Sequence, residues 1–111
     1  MARRNLNRDY IRKILNIEAP NGYKFDLANY LHNPAYGYDY PAFVKKIDED
    51  ENTETFRRVY YMKYYGGDGE YKEETYTREK NGGAWQVVHT ISEKVLESSK
   101  RFNINKLLTF C

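Results

Sequence analysis

Cysteine is nearly absent from the chain: one thiol in 111 residues, and it is the last residue, Cys111. A lone cysteine excludes an internal disulfide and a thiolate metal site, and it fits a reducing compartment. Histidine is also scarce. His32 and His89 are the two present, and no motif joins either to a serine or cysteine nucleophile. The glycines form neither a Walker A loop nor a dinucleotide fingerprint, and G-G-D-G at 66–69 has too few carboxylates for a calcium loop. Apolar runs are short, well below the roughly 18 residues of a membrane span. Arginines open the chain, but no apolar segment follows them as in a signal peptide. The expected location is therefore cytoplasmic.

Charge of one sign is in short supply overall, with a formal net charge of +2. That sum does not by itself point to nucleic acid, but the distribution is uneven. Arg3, Arg4, Arg8, Arg12 and Lys13 face only Asp9 near the start, whereas Asp48, Glu49, Asp50, Glu51 and Glu54 form an acidic stretch without a cation. Tyrosine is abundant, at 12 residues. Its ring covers apolar area while its hydroxyl stays wet, which suits an exposed aromatic surface or a core open at its edge. The length fits a single domain spanning 1–111 with one core.

The pattern predicts an α+β fold, a four-stranded antiparallel meander packed on one face by N-terminal and C-terminal helices. Leu6, Tyr10, Ile14 and Ile17 recur at helical spacing, and Pro20-Asn21-Gly22 ends that helix. A short second helix is expected from Leu27 to His32, capped by Asp26. Strands are expected from Ala42 to Asp48, Glu54 to Tyr65, Glu70 to Lys80 and Ala84 to Ile91. The third of these alternates poorly, since Tyr71 and Tyr76 fall on opposite faces, which predicts an edge strand or a bulge. Asn81-Gly82 is a strong hairpin signal. Thr90-Ile91-Ser92-Glu93 fits a capping box, so a helix is predicted to start there, with Val95, Leu96, Ser99 and Phe102 inward. The tail from Asn103 to Phe110 reads as a helical turn or a final short strand.

The segment from Thr55 to Tyr65, T-F-R-R-V-Y-Y-M-K-Y-Y, carries five aromatic and three cationic side chains in eleven positions. A strand points alternate residues to opposite faces. The expectation is that Phe56, Tyr60 and Met62 pack with Trp85, Val87, His89 and Ile91. Arg57, Tyr61, Lys63 and Tyr65 are then left outward. Glu73 and Glu74, as strand neighbours, point apart and cannot form a catalytic dyad. Both histidines read as structural. No catalytic residue, metal ligand or cofactor is expected, and the chain reads as no enzyme.

Two binding readings follow. Tyr36, Tyr38 and Tyr40 in Y-G-Y-D-Y, together with Arg57, Tyr61, Lys63 and Tyr65, form the candidate partner-binding set, because tyrosine and arginine are enriched at interface hot spots. The acidic stretch offers a match to a basic partner surface. In size and composition the chain resembles phage or mobile-element proteins, of anti-CRISPR or anti-restriction type, that inhibit a host nucleic-acid-handling protein. The alternative is direct binding of single-stranded DNA or RNA, with bases stacked on the aromatic-basic sheet face and phosphates held by Arg3, Arg4, Arg8, Arg12 and Lys13. The stretch from Arg58 is similar to the aromatic-basic submotif of RNA-recognition sheets. It lacks that motif's glycine and the element order differs, so that family is excluded.

Overall fold

The computed structural model describes Arg12 and residues 17–20, 22–27, 31–33, 38–63, 68–95 and 102–111, with backbone alone for 31–33, 38 and 39. The elements in order are β1 (Lys24–Phe25), β2 (Leu31–Asn33), β3 (Tyr38–Tyr40), β4 (Ala42–Glu49), β5 (Thr53–Lys63), β6 (Gly69–Glu79), β7 (Gln86–Val95) and α1 (Ile104–Leu108). A five-stranded antiparallel sheet runs β1-β4-β5-β6-β7, and β2 pairs with β3 as a separate two-stranded unit.

The expectation of four strands packed by helices from both ends is corrected. Five strands make the main sheet, and the helix among the described residues is the five-residue α1. The N-terminal helix from Leu6 lies almost wholly outside the described residues; Arg12, which is described, has helical backbone. Leu31 and His32, expected in a helix, are in β2. The capping-box pattern at Thr90 starts no helix there. β7 continues to Val95 because Ser92, Glu93, Lys94 and Val95 find Lys72, Tyr71, Glu70 and Gly69 opposite them. A ladder that places Lys94 against Glu70 outweighs a local cap.

Two hairpin turns set the meander. The Asp50 carboxylate accepts hydrogen bonds from the backbone of Asn52 (2.8 Å) and Thr53 (2.7 Å), closing the β4–β5 turn. Gly82, at φ 99°, turns β6 into β7 where a side chain would be strained. β6 is central rather than an edge and pairs with β5 without a register shift, so the irregularity expected in this strand lies instead in its neighbour β7. Thr75 faces His89 while Tyr76 faces Val87, so Val88 is the extra residue of a bulge.

The core lies on the face of β5 that carries Val59 and Tyr61. Phe25, Tyr40, Phe43, Val59, Tyr61, Tyr71 and Leu107 form it, with Ile17, Tyr23, Val95, Phe102, Ile104 and Phe110 against them. Leu107 brings α1 onto the sheet; Asn103 caps that helix through its side chain to Asn105 N (2.9 Å), and Tyr71 Oη accepts from Asn103 N (2.8 Å).

Candidate functional site

Register assigns every described β5 side chain to a face. Phe56 opposes Tyr76 and Arg58 opposes Glu74, while on the other side Arg57 opposes Thr75 and Val59 opposes Glu73. The phase expected from sequence is thereby reversed around Tyr61. The expected outward residue Tyr61 is 4% exposed and sits in the core, with ring centroids 5.0 Å from Tyr71, 4.9 Å from Tyr40 and 4.8 Å from Phe102. Burial pushes its hydroxyl pKa up, and the neighbouring phenols of Tyr40 and Tyr71 add to that. A two-residue period makes this an all-or-none matter: one face of a strand moves as a set.

The other members of the sequence-derived set are scattered. Tyr40 is buried. Arg57 is half-buried beside Glu73, its Nε 3.0 Å from Oε1 without hydrogen-bond alignment. Lys63 is exposed. Tyr38 is described by its backbone alone, and Tyr36 and Tyr65 lie outside the described residues. Of the candidate phosphate contacts, Arg3, Arg4, Arg8 and Lys13 lie outside the described residues too; Arg12 is exposed, 3.5 Å from Glu18. His89, expected among the packed residues, is exposed on β7, and His32 has only its backbone described. Glu73 and Glu74 do diverge: the first meets Arg57, the second Arg58.

The Phe56 face carries a more coherent surface. Phe56 and Tyr76 stack with centroids 5.5 Å apart and planes at 15°, and Trp85 meets both edge-on, 5.7 Å from Phe56 and 4.7 Å from Tyr76. The Arg78 guanidinium lies 4.1 Å from the Trp85 ring centre, and Arg58 lies 4.7 Å from that of Tyr76. Lys46 Nζ is 5.8 Å from the Phe56 ring centre. Cations and rings therefore alternate across β4, β5, β6 and Trp85, the residue that precedes β7. The expected packing of Phe56 with Trp85 is present, but the indole stays 48% exposed, with Val87 and Val88 also exposed beside it.

Each of these cations also has a carboxylate. Arg58 Nε donates to Glu74 Oε1 at 2.9 Å, Arg78 lies 3.3 Å from Glu54, and Lys46 Nζ lies 2.8 Å from Glu49 and 3.6 Å from Glu54. Lys80 adds a second contact to Glu49 at 2.6 Å. Hydrogen bonds from Lys46 and then Lys80 hold the Glu49 carboxyl well below the usual range, at about 2. The acidic stretch from Asp48 to Glu54 is thus largely occupied at home, by Lys46, Lys80, Arg78 and the turn backbone.

Trp85 is the residue the sequence reading undervalued. The signal was there in the lone tryptophan next to a hairpin, two residues before an apolar pair. Among the described residues, no group of three or more His, Cys, Asp or Glu side chains is placed to hold a metal ion. No helix among them is long and apolar enough to cross a membrane. No family model matches the chain, and no curated protein or solved structure gives a significant match.

Proposed function

We propose that this chain is a non-catalytic binding protein that docks on another protein, with Trp85 as the anchor of its contact surface. One observation carries the reading: a half-exposed indole whose orientation is set beforehand by Arg78, Tyr76 and Phe56. An aromatic held in place loses little rotamer freedom on binding, and such residues dominate interface energetics. Val87 and Val88 extend the apolar area beside it. The small size, the tyrosine-rich composition and the lack of a catalytic constellation are the basis for placing the partner among host nucleic-acid-handling proteins, with the chain as its phage-type inhibitor.

Direct binding of single-stranded nucleic acid is the weaker reading. Phosphate contact needs cations that release counterions, and Lys46, Arg58 and Arg78 already face carboxylates. The test pairs two measurements. Immobilised protein should retain one stoichiometric nucleic-acid-handling partner from the source cell, and Trp85→Ala should lose it while Arg12→Ala retains it. Failure to retain any such partner, or tight binding to single-stranded oligomers that falls steeply with salt, overturns the proposal.

A further inference from the structure

The two margins of the main sheet are managed differently. On one side, among the described residues, β1 pairs only with Phe43 and Val44, and the rest of β4 carries Lys45, Lys46, Asp48 and Glu49 around an exposed Ile47, with a register shift between Lys46 and Asp48. Charges and an irregular register are the usual protection of a free margin. On the other side stands β7, ten residues long, with a strand neighbour on one side only among the described residues. Nine of its ten side chains are exposed, and these include Val87, Val88 (56% exposed) and Ile91 (45% exposed). An edge with this length and apolar content is a template for another strand.

We infer that β7 pairs with β7 of a second copy, antiparallel and two-fold symmetric about Ile91. A two-fold axis perpendicular to the sheet passes between identical facing residues, so the sequence of β7 can be tested register by register. An axis at Thr90 sets His89 against Ile91, mixing apolar with polar. An axis at Ser92 sets Ile91 against Glu93 and is no better. The axis at Ile91 sets Ile91 against Ile91, His89 against Glu93, and Thr90 against Ser92. Each of these pairs is matched: apolar with apolar, hydroxyl with hydroxyl, and an imidazole with a carboxylate. The His89 contact reaches Glu93 where Lys106 Nζ already lies 2.8 Å away, so the carboxylate would hold a cation from its own chain and an imidazole from the other. Polar and apolar cross-strand matches are what select register at such a joint. The joint converts two five-stranded sheets into one continuous ten-stranded sheet. Trp85, the anchor of the docking reading, lies outside the facing residues His89 to Glu93.

Cysteine scanning tests it in the full-length chain with Cys111→Ser, which removes the native thiol. Ile91→Cys in that background should form a disulfide-linked dimer under mild oxidation, since facing Cα atoms in an antiparallel pair fall within disulfide reach. His89→Cys should not, because the two positions 89 lie four residues apart along the strands, about 13 Å. Sedimentation equilibrium should give a dimer for the native chain and a monomer for Ile91→Lys, which places two ammonium groups face to face; circular dichroism confirms that this variant keeps its sheet. A native chain that stays monomeric up to its solubility limit overturns the inference. So does a dimer indifferent to Ile91→Lys, or cross-linking at His89→Cys in preference to Ile91→Cys.

Discussion

Tyr60 Oη donates to Glu74 Oε1 across 2.5 Å, and the same oxygen accepts from Arg58 Nε at 2.9 Å. Tyr60 and Glu74 are both buried, on neighbouring strands and diagonal to each other, two residues out of direct register, so one carboxylate oxygen ties β5 to β6 in the middle of the sheet. Burial works against ionisation of Glu74, yet the Tyr60 hydroxyl and the Arg58 guanidinium overcome it and hold the carboxyl below the ordinary 4.5. Removing this acceptor takes one hydrogen bond from a half-buried guanidinium and one from a buried hydroxyl. Glu74→Leu should therefore cost about 2 kcal/mol in urea unfolding, less than a fully buried pair because Arg58 retains some access to water.

The same carboxylate gives a pH dependence of known sign. A group whose pKa is lower folded than unfolded contributes stability that is full above its unfolded value and is lost as pH falls through its folded value. For Glu74 the loss falls below pH 4.5. The native chain should lose more of its stability on acidification through that window than Glu74→Gln, whose amide does not titrate. Parallel urea titrations at neutral pH and at about pH 3 measure the difference; equal losses in the two proteins would show that the contact carries no linkage.

Tyr61 tests the phase of β5. Tyr61→Ala should cost about 3–5 kcal/mol, as for other large aromatic deletions from a packed core. Lys63→Ala, two residues on along the same face but exposed, should stay within about 0.5 kcal/mol. Comparable costs at the two positions in denaturant unfolding would place Tyr61 on the surface.

Gly69 is where the backbone makes room for that same ring. A Cβ at Gly69 would overlap Tyr61 Oη and the ring carbons next to it, and Gly69 itself is buried. Overpacking of a tight site costs about 1–3 kcal/mol, so Gly69→Ala should be destabilising by that amount. Tyr61→Phe, which removes the oxygen in closest conflict, should recover part of the loss when combined with Gly69→Ala. A double-mutant cycle with no coupling would contradict the geometry.

Arg78 lies over Trp85, the chain's one tryptophan, so indole fluorescence reports directly on this contact. Arg78→Ala should shift the emission and cost about 1 kcal/mol, because the ring contact and the Glu54 ion pair are both only partly shielded from water. High salt should weaken the Glu54 pair and leave the emission of the native chain nearly unchanged.

Much of the sheet was legible. The strands β4 to β6 fall within about two residues of their expected spans, their consecutive antiparallel pairing follows from short turns, and Asn81-Gly82 marks the last hairpin by its need for positive φ. The bulge lies in β7, at Val88, and not in β6, where the opposite facing of Tyr71 and Tyr76 predicts one. Other features were not legible for definite reasons. Thr90 to Glu93 satisfies a helix cap locally, but the choice between cap and ladder depends on Tyr71 and Lys72, some twenty residues away. Leu27 to His32 reads as a helical turn in isolation, whereas Leu31–Asn33 pair with Tyr38–Tyr40. Arg57, Tyr61 and Lys63 alternate with Phe56, Arg58, Tyr60 and Met62, and both sets contain rings and charges. Periodicity identifies two faces without saying which one the core takes.

Local chemistry determined that this chain forms strands, where three of them turn, and that β5 would be rich in rings and cations, because turn residues and two-residue alternation act over a few neighbours. Tertiary structure decided the rest. The arrival of Phe102 and Leu107 on the Val59 face sank Tyr61 into the core. Cross-strand carboxylates neutralised the cations, and the bulge at Val88 set Trp85 and Val87 on the opposite side, framed by Arg78, Tyr76 and Phe56. Which face is buried depends on segments distant in sequence, and no window along the strand contains them.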